Sequence, residues 1–456
     1  MDETLIVHIE KESKVPQQQQ QQPQQEQIPL LKSEHTQNHE IQENGNHDDT
    51  DLDKTLQKLE LFLTLLGFNQ SSVLSIVLSW IFFLLLGVVL PVVILELNNC
   101  PGCESGQIKS FELDILISQA LLAAASLLCL SHNLRKYGIR KFLFVDRYSG
   151  HMERFSEQYR KKISDSVRLL VLWVLPCFLL KTAREIIRIL YVPHESWWQS
   201  AAISLAFITS WTYITTIFLS ASVLFHLVCS LQIIHFNDYV KHLETEHDCF
   251  LLIQEHVRLR YYLSKISHRF RIYLLLEFLI VIVSHFMTLF LTTGYTGLLT
   301  YINGGDFAVS SVVEVVGVIL CLNAAAKISH RAQGIGSIAS RWHALATCTS
   351  GEVSQMRNST STSSLEAANR SSLVYNFSES DLESLDFVAE PTNTQLASYM
   401  SSYQKRQALV MYLQNNPGGI TIFGWTVDRG LINTIFFIEL TVATFILGKT
   451  IIFTAH

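Results

Sequence analysis

The sequence predicts an all-α fold, a seven-transmembrane helical bundle with a cytoplasmic N-terminus and an extracellular C-terminus. Three observations predict it. Of the 456 residues 48% are apolar and 16% charged, with a mean hydropathy of +0.24, the profile of a membrane protein rather than a soluble enzyme. Seven stretches are apolar over about 20 residues, the length that crosses a bilayer. Lysine and arginine, finally, are segregated into alternate loops.

Residues 1–50 hold PQQQQQQPQQEQ at Pro16 to Gln27 and then an acidic, Asn- and His-rich stretch. Such a segment has too little apolar surface to fold and is expected to be a disordered cytoplasmic tail. Its first residues are polar and lack the apolar core of a secretory signal, so the first span is expected to direct insertion. Within the tail, Glu26 followed by Leu30-Leu31 fits a dileucine sorting signal, a short pattern that a solvated tail also carries by chance. Leu52, Leu56, Leu59, Leu63 and Leu66 then recur at helical spacing and predict an amphipathic lead-in helix.

The spans follow at Val73–Leu97, Leu113–Ser131, Leu169–Val192, Ala201 to about Val223, Ile272–Thr293, Phe307–Ala326 and Leu431–Phe453. Cys100 and Cys103 form a CPGC in the first loop; without a second CxxC they suit a local disulfide or plain thiols better than a metal or redox centre. From Trp197 through Phe236 the chain stays apolar for about 60 Å of helix, twice the hydrocarbon thickness, so the fourth helix is expected to continue out of the membrane. Phe250, Leu251, Ile253, Val257, Tyr261, Leu263 and Ile266 keep an apolar stripe through the next charged loop, and extensions of this kind would pack into a cytoplasmic, coiled-coil-like layer. The domain plan is therefore a tail (1–50), a lead-in helix with spans one to six (51–346), a Ser-rich insert (347–402) and a final cytoplasmic helix with the seventh span (403–456). The insert, with SESDLESLD at Ser378 to Asp386, is expected to be disordered and open to a kinase.

Orientation follows from the short loops. His132–Val167 holds nine Lys and Arg residues and Phe236–Arg271 six, whereas Asn98–Glu112 has only Lys109. The basic loops face the cytoplasm, the reverse of a G-protein-coupled receptor, so Asp146-Arg147-Tyr148 is read as a chance tripeptide. On this topology the sequons at Asn358, Asn369 and Asn376 face the cytoplasm and stay unmodified.

Four charges interrupt the third span: Lys181, Arg184, Glu185 and Arg188. At about 100° per residue they share an arc of roughly 100°, hence one helix face. Two readings stay open: Lys181–Glu185 and Glu185–Arg188 pair along the helix with the rest snorkelling, or the face lines a positively charged vestibule for an anionic or polar ligand. Glu277, Glu314 and Glu439 sit in the fifth, sixth and seventh spans. Each suits a hydrogen bond between helices, and Glu439 equally an acidic ring in a symmetric pore. His226 adds intramembrane polarity, and no spacing specifies a metal, cofactor or nucleic-acid site. The absence of HExxH, GxSxG and a phosphate-binding glycine loop makes an enzyme the least expected function.

HNLRKYGIRKFLFVDR (His132 to Arg147), HRAQGIGSIASRWHALATC (His330 to Cys348) and GWTVDRGLINTIFFIELTVATFILGKT (Gly424 to Thr450) together resemble a plant membrane-protein family, domain of unknown function 3537. That family is similar in architecture to insect gustatory and odorant receptors. The resemblance implies a homotetramer with a central pore lined by the seventh helix, a cytoplasmic anchor layer and a small-molecule pocket in the outer half of each subunit. It makes the expected function a chemoreceptor-like, ligand-gated cation channel with Glu439, Thr434 and Thr441 at the pore; the alternative is a non-conducting receptor or scaffold. The insect Thr-Tyr and Gln-Phe pairs are replaced here by Thr434-Ile435 and Thr441-Val442. The plasma membrane is the expected location, with the vacuolar or endosomal membrane as the alternative that the dileucine motif raises.

Overall fold

The structure, a computed structural model, describes residues 37–97, 105–144, 151–191, 197–245, 248–294, 301–354, 401–427 and 429–454. Cys100 and Cys103, the dileucine motif, the three sequons and nearly all of the Ser-rich insert lie outside the described residues. Of a small N-terminal unit (Met1–Asn46) residues 37–46 are described, as a helix, and His47–His456 forms one packed unit.

Helix α1 (Gln37–Leu65) lays its leucines inward: Leu52, Leu56, Leu59, Leu63 and Leu66 are all buried. It stops at Gly67, whose φ of +87 suits a residue without a Cβ. The Phe68 N–H donates to the Leu63 carbonyl at 2.9 Å, a Schellman closure that drives Phe68 into the core. Asp53 and Asp51 tie the helix to Arg140 at 2.9 Å and Arg160 at 3.6 Å.

The first membrane-length helix is made of α2 (Val73–Leu84), a π-helical turn (Leu85–Val89) and α3 (Leu90–Leu97). Pro91 explains the turn. The Leu90 N–H donates to Leu85, five residues back, so the Leu86 carbonyl would next need the amide of residue 91, and proline has none. The Ser210 hydroxyl donates to that carbonyl at 2.6 Å. Gly87 faces Ile214 of the same neighbouring helix, where a Cβ would be in ordinary contact.

Helices α4 (Ser105–Leu143), α5 (His151–Tyr191), α6 (Trp197–Thr245), α7 (Cys249–Gly294) and α8 (Tyr301–Ser354) follow, α4 breaking at Gly138 with φ +71. Among the described residues six helices are long and apolar enough to cross a membrane: Val73–Glu96, Glu112–Leu143, Arg154–Ile189, Trp197–Thr245, Cys249–Phe290 and Gly305–Thr347. They correspond to the first six expected spans. At 1.5 Å per residue the 49 residues of α6 run for about 74 Å, so it does outlast a bilayer.

Helix α6 is the axis of the fold. It packs against α3, α4, α5, α7 and α8, and from Ser210 to Leu231 nearly every residue is buried. A helix apolar on all sides is stable only when surrounded, and its serines and alanines let neighbours approach. At the α6–α8 crossing Gly317 of α8 lies against the Phe218 ring, where any Cβ would overlap it.

At one end α4 to α8 extend into a second layer, completed by α9 (Ser402–Asn415), which packs on α7 and α8. A capping box of Ser401 and Gln404 starts α9. Val257, Tyr261, Leu263 and Ile266 of the predicted stripe are buried there, and the Tyr239 hydroxyl donates to the Leu252 carbonyl at 3.0 Å. Leu251 departs from the stripe and is half exposed, because one helix turn cannot face the layer from every side. A hairpin of β1 (Thr421–Ile422) and β2 (Trp425–Thr426) then leads into α10 (Arg429–Thr454), which packs on α7 and α8.

Candidate functional site

Positions 181, 184, 185 and 188 follow an i, i+3, i+4, i+7 pattern, so α5 places all four side chains on one face. That face turns inward at the end of the bundle opposite the extensions: Lys181, Arg184 and Glu185 are buried, the last with 0% exposure. Thr182, off the face, satisfies its hydroxyl within α5 by donating to Phe178.

The charges are held by carboxylates of other helices. Lys181 Nζ donates to Asp306 Oδ1 of α8 at 2.5 Å and lies 3.3 Å from Glu185. Arg184 spans the site, with Nη1 to Glu185 Oε1 at 2.6 Å and Nη2 to Glu112 Oε1 of α4 at 3.1 Å, while its Nε is 3.7 Å from Asp306. Arg188 Nη2 is 3.7 Å from Glu112 Oε2. Two aromatic rings of α6 complete the surroundings: Lys181 lies 5.8 Å from the Trp211 centroid and Arg188 5.2 Å from Phe207.

Two expectations are corrected here. Among the described residues the vestibule is not net positive, since three cations (Lys181, Arg184, Arg188) meet three carboxylates (Glu112, Glu185, Asp306). Nor does Arg188 pair with Glu185; Lys181 and Arg184 occupy that carboxylate, and Arg188 turns to Glu112. The reason is the cost of buried charge: each ion needs a partner from whichever helix can supply one. Glu112 and Asp306 were missed because they stand at the loop ends of their spans. Their signal was depth, two acids at span boundaries level with the cations of α5.

Beside the cluster lies a cavity lined by Pro91, Leu95, Phe207 and Trp211 with Glu112, Lys181, Arg188 and Asp306 at its polar side. Its volume of about 30 Å³ holds one or two waters. An organic ligand needs roughly ten times more. Trp211 Nε1 and Glu185 Oε2 are buried with no hydrogen-bond partner among the described residues. The chemistry here is therefore, among the described residues, a balanced ionic lock joining α4, α5 and α8, with a donor and an acceptor to spare.

The seam continues inward. Gln119 of α4 donates to Ser310 of α8 at 2.7 Å, and His285 of α7 contacts Ser311 at 3.3 Å and Glu314 at 3.9 Å. Glu277, fully buried on α7, accepts from Ser222 of α6 at 3.5 Å and bonds Tyr273 and Cys321, while Ser222 and Tyr273 are 3.1 Å apart. Glu277 and Glu314 thus sit between helices, away from the ionic cluster. His226 is half-buried on α6.

On α10 the Thr434 and Thr441 hydroxyls donate to the carbonyls one turn back, Gly430 at 3.0 Å and Phe437 at 2.6 Å. Both residues are exposed, on the same face as Phe437, Ile438 and Phe445. Position 439 is in the helix, about 140° round from 434; its side chain is outside the described residues.

A search of the curated proteins finds no match for this chain. The family model described as "Protein of unknown function (DUF3537)" matches residues 54–438, from the inward stripe of α1 through the ionic cluster to the first turns of α10. The chain belongs to the DUF3537 family.

Proposed function

We propose that this multi-pass membrane protein is a receptor subunit that assembles as a homotetramer around a shared pore and acts as a ligand-gated cation channel. One observation carries the reading: among the described residues α10 packs mainly on α7 and α8, while its other face presents Thr434 and Thr441 among exposed apolar residues. Four such faces around an axis would give a pore lined by hydroxyls, with the aromatic and aliphatic neighbours at the contacts between copies. Glu439, from its different register position, would act from the flank of that pore. The ionic cluster of Lys181, Arg184, Glu185 and Arg188 with Glu112 and Asp306 is the candidate gate input, since a small polar ligand competing for one ion would loosen α4, α5 and α8 together. The likeness to insect gustatory receptors read from the sequence supports the same arrangement, with the N-terminus cytoplasmic and the plasma membrane as the site of action.

Subunit number in native-lipid nanodiscs, by mass photometry, tests the assembly; a clean monomer would end the reading. Bilayer recordings on a tetramer come next, with Glu439→Gln and Thr441→Val. Changed permeability ratios support the pore, and identical ratios in both variants remove α10 from it.

A second reading, a non-conducting receptor or scaffold, is favoured by the size of the layer at the extended end, where α8 and α9 flank the Ser-rich insert. Deleting residues 355–400 separates the two: a channel keeps its current, a scaffold loses its partners.

A further inference from the structure

The hairpin between α9 and α10 presents two large aromatics outward. Phe423 and Gly424 form its turn with φ of 48 and 87, the pair of positive angles of a type I′ hairpin. Such a φ is uncommon for a bulky residue and asks for a reason. Its result is that Phe423 is 58% exposed, and Trp425 beside it 77%. The base, by contrast, is fixed. The Ile420 N–H donates to Ser329 Oγ of α8 at 3.0 Å, the Thr421 N–H to Ser267 Oγ of α7 at 3.1 Å, and Ile420 and Val427 are buried.

Those anchor points set the depth. Ser267 lies five residues before Ile272, where the lipid-length apolar run of α7 starts, and Ser329 three after Ala326, where that of α8 ends. At 1.5 Å per residue the hairpin base is about 4.5–7.5 Å beyond the hydrocarbon edge. The headgroup layer on each side is about 5–8 Å thick. Aromatic side chains concentrate at that level because their rings suit the acyl boundary and their polar edges the headgroups. The same spot supplies a cation: the Arg271 guanidinium lies 5.3 Å from the Phe423 ring.

We propose that the tip Phe423-Gly424-Trp425, with Arg271, is a phospholipid-headgroup anchor in the leaflet at the extended end of the bundle. The rings lie among the headgroups and the positive charge of Arg271, held beside Phe423, favours anionic lipid. Because α10 starts at Arg429, the anchor fixes the height at which that helix enters the membrane. The inference rests on α7 and α8 crossing a bilayer, and holds for a channel or a scaffold alike.

The test places the photoreactive amino acid benzoylphenylalanine at Trp425, and separately at Leu279 on the exposed apolar face of α7, in the full chain held in nanodiscs of phosphatidylcholine and phosphatidylserine. Mass spectrometry after illumination reads the adducts. Lipid adducts at both positions, richer in phosphatidylserine at 425 than in the disc, are expected, and Arg271→Gln should reduce that enrichment at least twofold. Lipid adducts at 279 with none at 425, or a crosslink from 425 to a second copy of the chain, overturn the anchor while leaving the membrane reading intact. No lipid adduct at either position overturns both.

Discussion

Asp306→Asn removes one carboxylate from the buried cluster and, among the described residues, leaves Lys181, Arg184 and Arg188 facing Glu112 and Glu185. Breaking a buried ion pair from one side costs about 3–5 kcal/mol, because the remaining charge stays desolvated. Lys181 and Arg184 keep Glu185, so the low end, about 3 kcal/mol, is expected. Unfolding entropy for a chain of this length is roughly 1 kcal/mol/K, which makes the loss about 3 °C in apparent melting temperature. The informative variant is the double one, Asp306→Leu with Lys181→Met. It restores the balance at two cations and two carboxylates, and replacing a buried pair by apolar groups is close to neutral. Fluorescence-detected size-exclusion after heating, on Asp306→Leu, Lys181→Met and the double variant, closes the cycle. The double variant should recover most of the single losses, a coupling of about 2 kcal/mol or more. Losses that add to within about 0.5 kcal/mol would refute the lock, since that is how independent sites behave.

Gly317→Ala should cost about 1–3 kcal/mol by overpacking against Phe218, and Phe218→Leu should recover part of it; thermal stability of the pair reads this out. Ser210→Ala should cost about 1–3 kcal/mol by stranding the Leu86 carbonyl, with faster hydrogen exchange across residues 85–91, and Ser210→Thr should keep the wild-type rate. At the end of α1, Gly67→Ala meets both a positive φ and the Ser79 hydroxyl, so it should lower the melting temperature, whereas Gly334→Ala, with open space and no positive φ, should leave it unchanged or raise it.

Much of the architecture was legible because a bilayer imposes a coarse rule. Leu52 to Leu66 at helical spacing marked a buried stripe, and the apolar run from Trp197 marked a helix longer than a membrane; neither needs knowledge of a neighbour. The four charges of α5 were legible as a face for the same reason, since helical periodicity alone brings 181, 184, 185 and 188 together. What they would touch was not. Glu112, 72 positions from Arg184, and Asp306, 125 from Lys181, look like loop residues until α4, α5 and α8 are set side by side.

The sequence by itself determined the helices, their lengths and which faces carry charge, because hydropathy and a 3.6-residue period are properties of a segment and its solvent. Only the tertiary structure decided the sign of the cluster, the partner of Arg188, the rescue of the Leu86 carbonyl by Ser210 and the outward aim of Phe423 and Trp425. Each of these depends on distances between helices, and a buried charge or orphaned carbonyl takes whichever partner packing brings within about 3 Å.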